Sequence, residues 1–195
     1  ANFFLLTLYV QDVLRYSPVK TGLTFLATAG TAVLAAGAAQ ALTTRFGAKP
    51  IIIIGLALLT GAMIWYTQIP VHGSYASDLL PGYLMVGVGI AFAFVPVSIA
   101  ALAGVVEREA GLASGLINTS QQIGGAIGTA VASTVFASHL KSLAGAAGPT
   151  IADFAHSYGY AFWPLAFFGA AAIVAAFTLI RRDEMAETAA TAPIA

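Results

Sequence analysis

Long apolar runs alternate with short polar ones along this chain, and the runs match the thickness of a bilayer. A helix rises about 1.5 Å per residue, so about 20 apolar residues cross a hydrocarbon core about 30 Å thick. By that measure the pattern predicts full spans over about 21–42, 50–69, 79–104, 111–138 and 158–180, with a partial span over about 2–10. The segments between them are polar or turn-forming. Ser17-Pro18 reads as a helix start, and residues 43–49 are short and basic. Residues 70–78 hold Pro, His, Gly and Ser, and Glu107-Arg108-Glu109 is a charged run. Residues 139–157 form the longest loop, and the polar, Ala/Thr-rich residues 183–195 are expected to be a disordered tail. The fold class is an all-α membrane protein, with one helical bundle over about 1–182. The chain opens inside an apolar run without an initiator Met, so it is expected to be the later part of a longer membrane protein.

Composition supports the same solvent. The 195 residues are 59% hydrophobic and 8% charged, against about 25% charged in an average soluble domain. The formal net charge is zero, which leaves no basic excess for nucleic acid. The chain has no cysteine, so disulfides, thiolate metal sites and cysteine nucleophiles are absent. Arg45, Lys49, Arg108, Arg181 and Arg182 fall on one side of the membrane, against Arg15, Lys20 and Lys141 on the other. That asymmetry puts the 43–49 connection and the carboxy terminus in the cytoplasm. Trp65, Tyr66, Tyr75, Tyr158, Tyr160 and Trp163 gather at the opposite interface, where amphipathic rings prefer to sit.

The run from Gly111 to Val131 is uncharged, rich in small residues and carries three amides. Asn118, Gln121 and Gln122 are three and four residues apart and share a helix face, which Ser114, Gly115, Gly125 and Thr129 extend. Amides at bilayer depth need partners, because an unsatisfied polar group in hydrocarbon is costly. Two readings fit. They line a water-accessible cavity and bond a small-molecule substrate, or they join helices as interhelical hydrogen bonds. Gly111-x3-Gly115 and Gly124-x3-Gly128 are small-x3-small patterns for close helix packing. Tyr9, Phe25, Phe92 and Phe94 are aromatic candidates for the same cavity, with lipid exposure or core packing as the alternative. Pro96 and Pro164 lie inside spans and bend them.

The acids Asp12, Asp78, Glu107, Glu109, Asp153, Asp183, Glu184 and Glu187, like His72, His139 and His156, fall at span ends, in loops or in the tail. None is placed for an intramembrane proton relay. No P-loop, nucleophile elbow or paired-histidine metal motif occurs, so the residues point to no enzyme, no cofactor and no metal. Gly87-x-Gly89 lacks the third glycine and the preceding strand of a dinucleotide motif.

The run from Gly111 to Gly128 resembles the penultimate core helix of the fourteen-span drug:proton antiporter branch of the major facilitator superfamily. Phe3 to Gln11, followed by Tyr16-Ser17-Pro18, is similar to the first helix and outer loop of that family's second half, and Gly87-x-Gly89 with Phe94-Val95-Pro96 fits a later helix. The resemblance covers about residues 3–182. It implies a carboxy-terminal six-helix half, its first helix truncated, of a proton-coupled exporter of drugs or toxic metabolites. Its partners would be the lipid bilayer of the cell's inner membrane, the missing amino-terminal half and a small-molecule substrate, and its proton-binding carboxylate would lie in the missing half. The family's cytoplasmic loop motif usually reads Gly-Arg-Leu-x-Asp-Arg-Phe-Gly-x-Arg. Here Arg45, Phe46, Gly47 and a base at Lys49 match, whereas Thr44 replaces the acid and Ala41 the first Arg. A non-transporting scaffold or sensor with the same fold, and an uptake transporter for a neutral solute, are the alternatives.

Overall fold

A computed structural model describes residues 1–102, 105, 107–145 and 148–180. Seven helices follow in order: α1 (Asn2–Asp12), α2 (Pro18–Thr24), α3 (Leu26–Phe46), α4 (Ala48–Tyr66), α5 (Leu80–Leu102), α6 (Ala110–Leu143) and α7 (Ile151–Leu179). A π-helical turn, Tyr75–Leu79, leads into α5 and a 3-10 turn, Glu107–Glu109, into α6. Among the described residues, five stretches are long and apolar enough to cross a membrane: Pro18–Phe46, Ala48–Tyr66, Tyr75–Ala100, Ala110–Leu143 and Ile151–Leu179.

Local chemistry moves several boundaries from where hydropathy puts them. Ser17 accepts from the Lys20 N–H with Pro18 at the first helical position, so helix begins at Pro18 instead of residue 21. At Phe25 the N–H turns back to the Gly22 and Leu23 carbonyls, and this splits α2 from α3 inside one apolar stretch. The fourth helix ends at Tyr66, short of residue 69. The sixth continues to Leu143, past residue 138. The seventh starts at Ile151, well before residue 158, because Thr150 and Asp153 form a capping box. The expected end of the fourth span at residue 104 and the tail over 183–195 lie outside the described residues.

In the packing, α5 sits between α3 and α4, while α7 packs on α4, α6 and α1. Glycine makes the α5 contacts possible. A Cβ on Gly87 would stand 2.6 Å from the Thr28 carbonyl oxygen of α3, and one on Gly89 3.0 Å from the Gly55 oxygen of α4. The Gly-x-Gly pair is therefore an element of helix packing, one residue facing each neighbour.

The main core lies toward the end of the bundle that holds Asp12, Pro70 and Tyr158, here the Asp12 end. Leu5, Leu6, Tyr9, Val10, Tyr66, Tyr83, Tyr158 and Phe162 are all buried there. Hydroxyls and an indole tie the same end together. Tyr9 donates to the Pro70 carbonyl at 2.6 Å, Tyr158 to Asp12 Oδ2 at 2.5 Å, Tyr75 to the Thr24 carbonyl at 3.1 Å and Trp65 Nε1 to the Asp78 carbonyl at 2.8 Å. At the opposite end, the Gly47 end, a smaller cluster of Ala48, Ile52 and Ala176 joins α4 to α7.

Candidate translocation face

The first half of α6 stands clear of the other helices. From Gly111 to Ile127 every residue is exposed except Ala113 and Ile117, which are half-buried. Asn118, Gln121 and Gln122 are exposed, and among the described residues none has a hydrogen-bond partner for its side chain. Their apolar neighbours are no better covered: Leu112 is 68% exposed, Leu116 61%, Ile123 56% and Ile127 54%. Among the described residues no other helix covers the amides.

The small-residue patterns divide. A Cβ on Gly111, Gly115, Gly124 or Gly125 would meet nothing within 4 Å, so the first three pack on nothing described. Gly128 is buried, 3.6 Å by the same measure from Ala1 Cβ and 3.9 Å from Leu165 Cδ2. From Gly128 onward α6 joins the bundle: Ala132 is fully buried, and Phe136 stacks on Tyr158 with ring centroids 4.3 Å apart. Near its end His139 Nδ1 lies 3.2 Å from Ser157 Oγ, and its ring stacks on Tyr160 at 4.2 Å. On α3, Gly30 and Gly37 are likewise open, with Val33 and Leu34 exposed between them.

The aromatic candidates do not converge. Tyr9 is 0% exposed, its ring edge-on to Tyr158 at 6.2 Å and its hydroxyl committed to Pro70. These are the surroundings of a core residue, the alternative that the sequence left open for it. Phe25 is half-buried in the α2–α3 break, edge-on to Phe3 and to Tyr83. Phe94 on α5 is 49% exposed.

The loop motif also resolves into distinct roles. Gly47 has φ +84° and joins α3 directly to α4, a conformation that a Cβ would strain. Arg45 is exposed, its guanidinium 5.2 Å from the Phe46 ring centroid. Lys49 reaches across the bundle and donates to the Phe177 and Ile180 carbonyls at 2.7 and 2.6 Å. These carbonyls end α7, and a cation there also complements the helix dipole. Sequence spacing alone could not reveal that tertiary contact. It also missed Tyr83, whose ring packs on Tyr66, Tyr75 and Phe25 at the Asp12 end. The Asn2 amide and the Tyr66 hydroxyl are buried without a partner among the described residues.

Comparison with known proteins gives this arrangement its family. The profile of the Major Facilitator Superfamily matches residues 1–129. The chain belongs to that superfamily. This superfamily chain is 36% identical over 136 residues to the puromycin resistance protein pur8 of Streptomyces alboniger, covering 68% of the chain and 27% of that protein. It is 33% identical over 140 residues to the lincomycin resistance protein of Streptomyces lincolnensis, 71% of the chain and 29% of that protein. With the MFS-type transporter EfpA of Mycobacterium tuberculosis, itself uncharacterized, it shares 32% identity over 180 residues, 88% of the chain and 34% of EfpA. The superfamily chain therefore spans about a third or less of the relatives it matches. It is an all-α, multi-pass membrane protein.

Proposed function

We propose that this chain supplies the carboxy-terminal six-helix half of a secondary active exporter of drugs or toxic metabolites, in the fourteen-span drug:proton antiporter branch. The observation that carries the reading is the first half of α6: uncharged, bare, and bearing three amides without a side-chain partner among the described residues, in a helix long and apolar enough to cross a membrane. Such a surface is costly against lipid and suits a water-accessible path between two halves. The relatives support the direction of flux. Besides the puromycin and lincomycin resistance proteins, they include a tetracenomycin C resistance and export protein and a cephamycin export protein.

In this proposal the partners are the bilayer of the cell's inner membrane, an amino-terminal half and a small-molecule substrate. The Gly47 end and the carboxy terminus face the cytoplasm. Asn118, Gln121 and Gln122 face the path, with Phe94 and Phe25 on its apolar margin. Proton coupling rests on groups outside this chain, since Asp12 and Asp78 are engaged at the Asp12 end. Cysteine at each amide, in the full-length protein, tests the site through an impermeant thiol reagent applied from the open side. Labelling at Leu116→Cys and Ile123→Cys but at none of the three amide positions would defeat it. A scaffold or sensor is the second reading, favoured by the altered loop motif and by Lys49 serving as a cap for α7. Gradient-dependent export of a fluorescent drug by the full-length protein excludes it.

A further inference from the structure

A groove of about 330 Å³ lies between the start of α4 and the end of α7, lined by Lys49, Pro50, Ile53 and Phe177. Three of its walls are apolar, and Lys49 supplies the charge. Phe177, and Leu179 just beyond it, are exposed, so the groove opens to the outside of the bundle. Its depth follows from helix length. The fourth helix has 19 residues, about 28 Å of rise, against a hydrocarbon core about 30 Å thick. Lys49 is the second residue of that helix, so its ammonium stands where acyl chains meet headgroups.

The partners of Lys49 carry no net charge. Its Nζ donates to the Phe177 and Ile180 carbonyls and stands 5.1 Å from the Phe177 ring centroid. An ammonium has three donors, so one remains for a further acceptor. Among the described residues no carboxylate lines the groove. A cation without a counter-charge at the edge of hydrocarbon is costly.

We propose that this groove binds an anionic phospholipid. The lipid phosphodiester accepts the third N–H of Lys49, and an acyl chain lies along Pro50, Ile53 and Phe177. A phosphodiester has acceptors and no donor, which suits a charged group that only donates. The ammonium of a zwitterionic headgroup finds no acid in this lining, so the groove prefers lipids of net negative charge. The bound lipid bridges α4 and α7 beside their small contact of Ala48, Ile52 and Ala176. The site goes beyond the transport reading and stands apart from it, because a scaffold with the same fold would keep the groove.

Full-length protein, purified in detergent and stripped of lipid, tests the site. Phosphatidylglycerol should raise its thermal unfolding midpoint by several degrees. It should bind about tenfold tighter than phosphatidylcholine with the same acyl chains, the worth of one charge-assisted hydrogen bond. Lys49→Met should lose that preference, each variant being read against its own lipid-free midpoint. Arg45→Gln, outside the groove, should keep it. Equal loss in both variants assigns the effect to diffuse surface charge and overturns the site. An equal response of the wild type to both lipids overturns it too, as does a response to inorganic phosphate as large as that to phosphatidylglycerol. The sequence after Ile180 holds Asp183 and Glu184 as rival anions. If the Asp183→Asn/Glu184→Gln protein shows the preference and the wild type does not, those acids hold Lys49 and the lipid does not. If Lys49→Met fails to accumulate, Ile53→Trp takes its place, since it fills the groove and keeps the ammonium. An unaltered lipid preference in that variant sinks the proposal.

Discussion

At the residue scale, two positions at the Gly47 end carry sharp expectations. Gly47 holds φ +84° with ψ 163°, a region essentially reserved for glycine, where strain costs about 1–3 kcal/mol. Gly47→Val in the full-length protein should lower its thermal unfolding midpoint in detergent by several degrees, without altering which drugs compete for export. An unchanged midpoint would show that the connection tolerates a Cβ. Lys49 donates to two carbonyls at the end of α7. Lys49→Met keeps the apolar stem and removes both bonds, at a cost of about 1–3 kcal/mol. Lys49→Arg should recover most of it. Proteolytic sensitivity near Ile180 reads the effect, with the Met variant cleaved faster than wild type and the Arg variant close to wild type. Gly47 was legible through the loop motif, where a glycine between two helices fits a tight turn. The Lys49 contact was not, since its partners lie 128 and 131 residues away.

At the element scale, glycine sorts the helices into those already packed and those still bare. A Cβ on Gly55 would stand 2.5 Å from the Ala93 backbone nitrogen, and one on Gly30 or Gly37 would meet nothing within 4 Å. Gly55→Ala should therefore push α4 from α5 and cut the amount of folded protein severalfold. Gly30→Ala should keep the fold, and helix propensity alone favours it by up to about 1 kcal/mol. Gly30→Leu then reports on a neighbour. If a helix of another half packs on α3, the variant folds, reaches the membrane and loses export. Full export by Gly30→Leu would leave that side of α3 to lipid. The spans themselves were legible because hydropathy responds to length and apolarity. Which side of a span meets lipid, protein or a path was not, since lipid and a protein core select the same side chains. Tyr9 illustrates the gap: the sequence left cavity, lipid and core open for it, and the Pro70 carbonyl and the Tyr158 ring hold it in the core. The Thr150–Asp153 capping box was missed, because a helix start inside a polar loop carries no hydropathy signal.

At the scale of the whole molecule, the two ends of the bundle differ in how firmly they are joined. The Asp12 end combines a tyrosine-rich core with bonds linking α1 to α7, α1 to the connection after α4, and α2 to the turn before α5. In the proposed transporter, rocking of two halves about a central site needs each half to move as one body, and the bonds at this end favour that. Ala1 and Gly128 give a direct handle on that idea. The Ala1 Cβ and an ideal Cβ on Gly128 are 3.6 Å apart, within the range of about 3.5–4.5 Å for a disulfide. These 195 residues contain no cysteine, and any elsewhere in the full-length protein is first replaced by serine. In the full-length protein, the Ala1→Cys/Gly128→Cys pair should cross-link under mild oxidant, and export should continue with the bond closed, because α1 and α6 travel together. If closing the bond stops export and reduction restores it, the two helices must shift against each other during transport, and the half is not a single moving body.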